Sequence, residues 1–310
     1  MPAKKRLVLG SRGSRLALVQ ANLVKKLLEE EYGDLEVSIR VIKTTGDRLS
    51  KGSLSTQGGK GLFLKEIEEQ LLSKKVDVGV HSMKDVPVIL PPGLVIPSVL
   101  QREDPRDVFL SKKFNSLLQL PKKARIGTSS MRRRAQLKNF RPDLEVVPLR
   151  GNIDTRLKKI GTGGVQAVVL AAAGLVRLGL SNRITEYLHP SIMLPAVGQG
   201  TIALEIREAD DRVRRLVDSL NHIETMLCVQ AERAFLRGLE GDCQAPIAAY
   251  ARIDGQNMDL TGMVASVDGR ELLRDRVEGN IRDAVTLGET LANTLRSHGA
   301  REILRSSRGK

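Results

Sequence analysis

Hydrophobic positions change their period several times along the chain, and each change marks an element. Residues 6–10 form a short β-type run that meets Ser11-Arg12-Gly13-Ser14, after which Leu16, Val19, Leu23 and Leu27 recur at helical spacing. This predicts a strand, a glycine-containing turn and a helix. Residues 37–41 alternate like a strand, whereas residues 44–61 hold five glycines among mostly polar positions and predict a mobile loop, a candidate lid. Phe63, Ile67 and Leu71 mark a second helix, residues 76–80 a strand, and four prolines between positions 87 and 97 exclude a helix there.

After Asp104-Pro105-Arg106-Asp107, read as a turn between lobes, the pattern begins again. Arg125-Ile126-Gly127-Thr128-Ser129-Ser130 leads into a helix, residues 144–149 form a strand, 153–160 a short helix and 165–170 a buried strand. Each half thus opens with a strand ending in glycine, followed by hydroxyl and arginine side chains, which raises the question of an internal duplication. Residues 201–206 predict a further strand, with helical periodicity to Leu220 and from Ile223 to Leu236. The last part differs in kind: three strand-like runs separated by Asp254-Gly255 and Asp268-Gly269 turns, then a helix over 284–297. The expected fold class is α/β: two α/β lobes and a small C-terminal α+β domain on a three-stranded antiparallel sheet.

Composition narrows the partners. The chain has 310 residues, 41% hydrophobic and 28% charged, the profile of a folded protein of two or three domains. The longest apolar run, 167–175, falls far short of the roughly 20 residues a membrane span needs and reads as a buried strand running into a turn. No apolar stretch suits a signal peptide, and two cysteines are too few for a disulfide scaffold, so a reduced, cytoplasmic protein is expected. A net charge of +14 predicts attraction of anions. Only 3% of residues are aromatic, which weakens single-stranded nucleic acid as the partner and favours a small anion.

Basic residues cluster where turns enter helices. Arg132, Arg133 and Arg134 fall in the first turn of a helix after Thr128-Ser129-Ser130, where positive charge opposes the helix dipole unless an anion answers it. Arg12, Ser14 and Arg15, and Arg150 with Arg156 around Gly151-Asn152, repeat the pattern; the alternative is a solvated basic face. Gly58-Gly59-Lys60-Gly61 lacks the spacing of a nucleotide cradle and fits a loop that brings Lys60 over an anion, or a plain glycine turn. In His81-Ser82-Met83-Lys84-Asp85-Val86-Pro87, at a strand end, Asp85 is the best carboxylate for holding a developing cation or a ring N–H; a surface ion pair is the alternative. Cys228 reads as a packed core thiol, Cys243 as a loop thiol open to reaction, and the four histidines lie too far apart for a local metal motif.

These segments, with Arg102-Glu103-Asp104-Pro105-Arg106-Asp107, Leu149-Arg150-Gly151-Asn152 and Leu194-Pro195-Ala196-Val197-Gly198-Gln199-Gly200, occur in an order that closely resembles the porphobilinogen deaminase (hydroxymethylbilane synthase) family over almost the whole chain. The resemblance implies two lobes like those of a periplasmic binding protein, 1–101 with 199–219 and 102–198, and a third domain, 220–310, carrying Cys243. It also implies a transferase of tetrapyrrole biosynthesis that condenses four porphobilinogen molecules head to tail, with loss of ammonia, onto a covalent dipyrromethane cofactor, and then releases the linear product by hydrolysis. By the same resemblance Cys243 holds that cofactor through a thioether, and Ser82, Lys84, Thr128, Ser129, Ser130, Arg132, Arg133 and Arg150 line it. Arg12, Ser14, Lys60, Arg156, Arg177 and Gln199 would meet substrate, and Asp85 would stabilise the azafulvene cation left as ammonia departs. Thr56, where many members carry a second lid lysine, and Asp242, where glycine is common, depart from the family pattern. A monomer binding neither nucleic acid nor membrane is expected. The rivals are a non-enzymatic two-lobed organic-anion-binding or sensory protein, which gives Cys243 no role, and a basic nucleic-acid binder.

Overall fold

The computed structural model describes residues 5–45, 64–241 and 245–308; Lys60 and Thr56 of the expected lid, and Asp242 and Cys243, lie outside the described residues. Strand β1 (Lys5–Arg12) enters helix α1 (Arg15–Glu31), whose N-cap Ser14 accepts a hydrogen bond at Oγ from Ala17 N at 3.3 Å. Strand β2 (Leu35–Ile42), helix α2 (Lys65–Leu72), β3 (Val78–Ser82) and β4 (Leu94–Val99) follow. The prolines that exclude a helix also conceal β4, which contains Pro97 yet closes one edge of its sheet, where a missing backbone donor is tolerated.

Next come β5 (Asp107–Ser111), β6 (Arg125–Gly127), α3 (Met131–Phe140), β7 (Glu145–Val147), α4 (Ile153–Lys158), β8 (Ala167–Ala171), α5 (Ala172–Arg177) and β9 (Glu186–Tyr187). The apolar run 167–175 is therefore a strand continued by a helix instead of a turn; Ala172 and Ala173 favour helix once the β-branched valines of β8 end. The chain continues through β10 (Ile202–Arg207), α6 (Asp211–Asp218), α7 (Ile223–Gly238), β11 (Ile247–Asp254), β12 (Asn257–Ala265), β13 (Leu272–Asn280), α8 (Ala284–Ser297) and α9 (Ala300–Arg308).

Two compact units result: Met1–Arg102 with Thr201–Met226, and Glu103–Gly200 with Leu227–Lys310. In the first, the strand order is β2-β1-β3-β10-β4, with β1 parallel to β2 and β3, and β10 antiparallel to β3 and β4. Leu7, Leu9, Val24, Leu28 and Ile206 fill the core on the α1 side; Ile42, Ile67, Leu71 and Val76 fill a smaller one under α2. Burial on both faces explains the near-continuous apolar strands.

The second unit repeats this topology as β7-β6-β8-β5-β9, with β6 parallel to β7 and β8, and β5 antiparallel to β8 and β9. β6 thus holds the place in its sheet that β1 holds in the other, and both lead into a capped helix; the rhyme between the halves extends to strand order. Adjacent residues divide between two faces: Phe109 and Val169 join Ile126 and Leu137, while Val108 and Val168 join Leu157 and Leu175.

The antiparallel sheet, β11-β12-β13, belongs to the same unit. Fully buried Glu232 of α7 joins its two parts, accepting from Gly198 N at 2.7 Å on one carboxylate oxygen and from Ala251 N at 2.9 Å on the other. At the β12–β13 turn, Gly269 has φ 74° and lies so close to α3 that a Cβ would come within 2.5 Å of Ala135 O. The architecture agrees with the α/β plus α+β class expected from the sequence.

Candidate active site

In the first unit, β1 and β3 are parallel neighbours, so their carboxyl ends share one sheet edge. That edge receives Arg12 and Ser14 from the β1–α1 turn, and Ser82, Lys84 and Asp85 from the end of β3. Gln20 of α1 holds the Ser82 hydroxyl, its Nε2 donating to Oγ at 3.0 Å. A single 3-10 turn, Met83–Asp85, follows; Met83 N donates to Thr201 O at 2.9 Å and Val86 N to Met83 O at 3.1 Å. This buries Met83, leaves Lys84 half-buried and exposes Asp85. Directly before the turn lies a cluster the sequence reading did not assign. His81 Nε2 is 2.9 Å from Glu205 Oε2, and Glu205 Oε1 is buried with no hydrogen-bond partner among the described residues. The nearby Glu68 carboxyl is pushed up to about 7 by burial and by the Glu205 charge, with His81 partly offsetting them.

In the second unit the corresponding edge is formed by the carboxyl ends of β6 and β8 and by the start of antiparallel β5. Three hydroxyls shape the turn into α3: Thr128 Oγ1 accepts from Ser130 N at 3.2 Å, Ser129 Oγ from Leu149 N at 3.0 Å, and Ser130 Oγ from Arg133 N at 3.4 Å. The charge conflict expected in the first turn of α3 is answered from within the chain. Fully buried Asp107 takes Arg132 Nη1 on Oδ2 at 2.6 Å, and Arg133 Nε and Nη2 on Oδ1 at 2.9 and 2.7 Å. Burial alone would raise the Asp107 pKa, but the two guanidiniums override it and hold the carboxyl down at about 2. Gln199 joins them, its Nε2 donating to Pro105 O at 2.7 Å and to Asp107 Oδ1 at 3.1 Å.

The remaining arginines are placed differently. Arg150 is exposed, Arg156 Nε donates to Gly151 O at 2.9 Å, and Arg177 Nη2 donates to Gly200 O at 2.6 Å. Burial lowers the Arg177 pKa to about 10 against the pull of Glu103, so its charge persists at neutral pH. Asp107 was missed because Asp104-Pro105-Arg106-Asp107 reads as one turn; the turn ends at Arg106 and Asp107 opens a buried strand. The usable signal was the surplus of arginines in one helical turn, which requires a counter-charge. Cys228 is buried, as its helical spacing predicts.

Taken separately, the edge of the first unit offers hydroxyls, Arg12 and Lys84, and that of the second unit offers hydroxyls and arginines, each suited to the carboxylate of an organic anion such as the acetate or propionate of a pyrrole. The exposed Asp85 adds to the first unit a group able to accept N–H or stabilise positive charge. No helix among the described residues is long and apolar enough to cross a membrane.

Comparison with known proteins agrees over nearly the whole sequence. Residues 7–215 match the family described as "Porphobilinogen deaminase, dipyromethane cofactor binding domain", and residues 226–297 its C-terminal domain. The porphobilinogen deaminase of Lawsonia intracellularis is 49% identical over 303 residues, 97% of this chain and 98% of that protein. Those of Geobacter sulfurreducens and Syntrophomonas wolfei are each 48% identical, covering 97% and 98% of this chain and 95% and 99% of theirs. A weaker likeness joins the chain to the methionine-binding protein MetQ, with TM-score 0.43 and 13% identity over 71% of this chain and 92% of that one. Two matched domains and near-half identity over nearly the whole sequence make this chain a member of the porphobilinogen deaminase family.

Proposed function

We propose that the chain condenses four porphobilinogen molecules stepwise, each with loss of ammonia, onto a covalent dipyrromethane, and then releases the linear tetrapyrrole hydroxymethylbilane by hydrolysis. The observation that carries this reading is the exposed Asp85 carboxylate on the turn after β3, within the region matched to the cofactor-binding domain. Asp85 accepts pyrrole N–H groups and stabilises the cation left as ammonia departs, holding the proton exchanged on either side of the new bond. Met83 N anchored on Thr201 O, with Val86 N on Met83 O, fixes the backbone of the turn that carries Asp85.

Cys243 is the attachment point. Bound there, dipyrromethane supplies the primer from which the chain grows, and covalent attachment keeps its effective concentration high. Ser82, Lys84, Thr128, Ser129, Ser130, Arg132, Arg133 and Arg150 hold its acidic side chains. Arg12, Ser14, Lys60, Arg156, Arg177 and Gln199 receive substrate. Every added pyrrole brings an acetate and a propionate, so demand for positive charge rises with each step, which accounts for many separate anion sites. The three-domain division, with Cys243 on the third domain, a monomeric state, a cytoplasmic setting and the absence of nucleic-acid partners complete the reading.

Intact mass measured on the denatured protein is the test, since a thioether survives unfolding. A dipyrromethane excess mapped to Cys243 is expected, lost in Cys243→Ser and retained in Asp85→Asn with turnover reduced at least 100-fold. An unmodified chain that stays unmodified with porphobilinogen would leave the organic-anion-binding protein as the better account.

A further inference from the structure

We propose that Asp107 is a positioning residue of this reaction, fixing Arg132, Arg133 and Gln199 as one unit that receives pyrrole carboxylates; this rests on the porphobilinogen deaminase reading. Its four side-chain contacts come from those three residues: Oδ1 takes Arg133 Nε and Nη2 and Gln199 Nε2, and Oδ2 takes Arg132 Nη1. Asp107 is itself held at its backbone, paired with Ala171 across the sheet, with Leu188 N donating to its carbonyl at 2.9 Å. Each guanidinium is also tied to a carbonyl, Arg132 Nη1 to Leu194 O at 2.6 Å and Arg133 Nη1 to Val169 O at 3.1 Å.

Three charged side chains are buried here, Asp107 completely and the two arginines nearly so, and such a triad is a poor means of stabilisation, because apolar side chains of equal volume often serve as well. What the triad provides is direction. Two long side chains from the first turn of α3 are fixed, Arg133 by the Nε–Nη2 fork on Asp107 and Arg132 by Nη1 shared between Asp107 and the Leu194 carbonyl, beside the hydroxyls of Thr128, Ser129 and Ser130. Arginine forks recognise carboxylates by angle as well as charge, so a swinging guanidinium would bind an acetate or propionate less well than a fixed one.

The charge of Asp107 gives the test its sign. Removing a carboxylate from an anion-binding edge should tighten anion binding if only net charge mattered, and a purely structural role would lower thermal stability while leaving the KM of the folded holoenzyme unchanged. Positioning predicts the opposite: in Asp107→Asn the KM for porphobilinogen rises about tenfold, with a smaller change in kcat, and the fraction of chains carrying the cofactor mass falls. A KM equal to or below that of the wild type, at wild-type cofactor occupancy, would overturn the proposal. Should Asp107→Asn fail to fold, Asp107→Glu replaces it, keeping the charge and moving the carboxylate by one methylene; a raised KM supports positioning and a wild-type KM overturns it. A wild-type chain carrying no cofactor would overturn the function reading and this proposal together, whereas a competent wild type with unaffected variants would overturn positioning alone.

Discussion

Glu68 carries a carboxyl group that the fold makes a proton holder at neutral pH. Its pKa rises from 4.5 to about 7 because burial and the charge of Glu205 both disfavour its ionised form. The folded chain therefore binds a proton between those values that the unfolded chain does not. The associated stability is present below pH 4.5 and lost as pH rises through 7, about 3 kcal/mol in all. Glu68→Gln, which cannot ionise, should be more stable than the wild type at pH 8, with the gap shrinking below about 1 kcal/mol at pH 5. Urea unfolding at the two pH values checks this, and equal differences at both would refute the burial account. Asp107 has the opposite sign: held at about 2, it contributes stability above pH 4 that disappears only in strong acid. Asp85, Lys84 and the arginines stood out in the sequence as candidates because cations crowded into the first turn of a helix oppose its dipole and a carboxylate beside a lysine closes a strand end. His81, Glu68 and Glu205 did not, because Glu205 reaches the other two from β10, 124 residues beyond His81.

Elements were legible wherever one periodicity ran long enough to dominate. Helix α1 and the last three strands followed their apolar repeats; β9, two residues long, was too short for any repeat. β5 was hidden by the turn residues before it, and β4 by its prolines, although an edge position permits Pro97. At this scale the β12–β13 turn offers a test. Gly269→Ala adds a Cβ at positive φ and directs it against the backbone of α3 at Ala135 O and Asn139 N. It should cost about 1–3 kcal/mol, seen as a lower midpoint of thermal unfolding. An unchanged midpoint would mean that the hairpin does not rest on α3 in solution.

Over the whole molecule the net charge of +14 sets a field that should draw an acidic substrate from a distance. Raising ionic strength from about 0.05 to 0.5 M shortens the screening length to a few ångströms, so the KM for porphobilinogen should rise roughly threefold or more with kcat little changed. A salt-independent KM would indicate that only short-range contacts matter and that the surface charge serves something else.

The long periodic elements, the α/β class of the two lobes, the excess of positive charge and the family motifs were all determined by the sequence, because each is a local or additive property. What tertiary structure alone decided is which strands meet and which charges pair. The placement of β10 and β5 as reversed strands brings Glu205 beside His81 and Asp107 beside Arg132 and Arg133. The partners in these pairs are 124, 25 and 26 residues apart, and burial together makes their charges interact strongly.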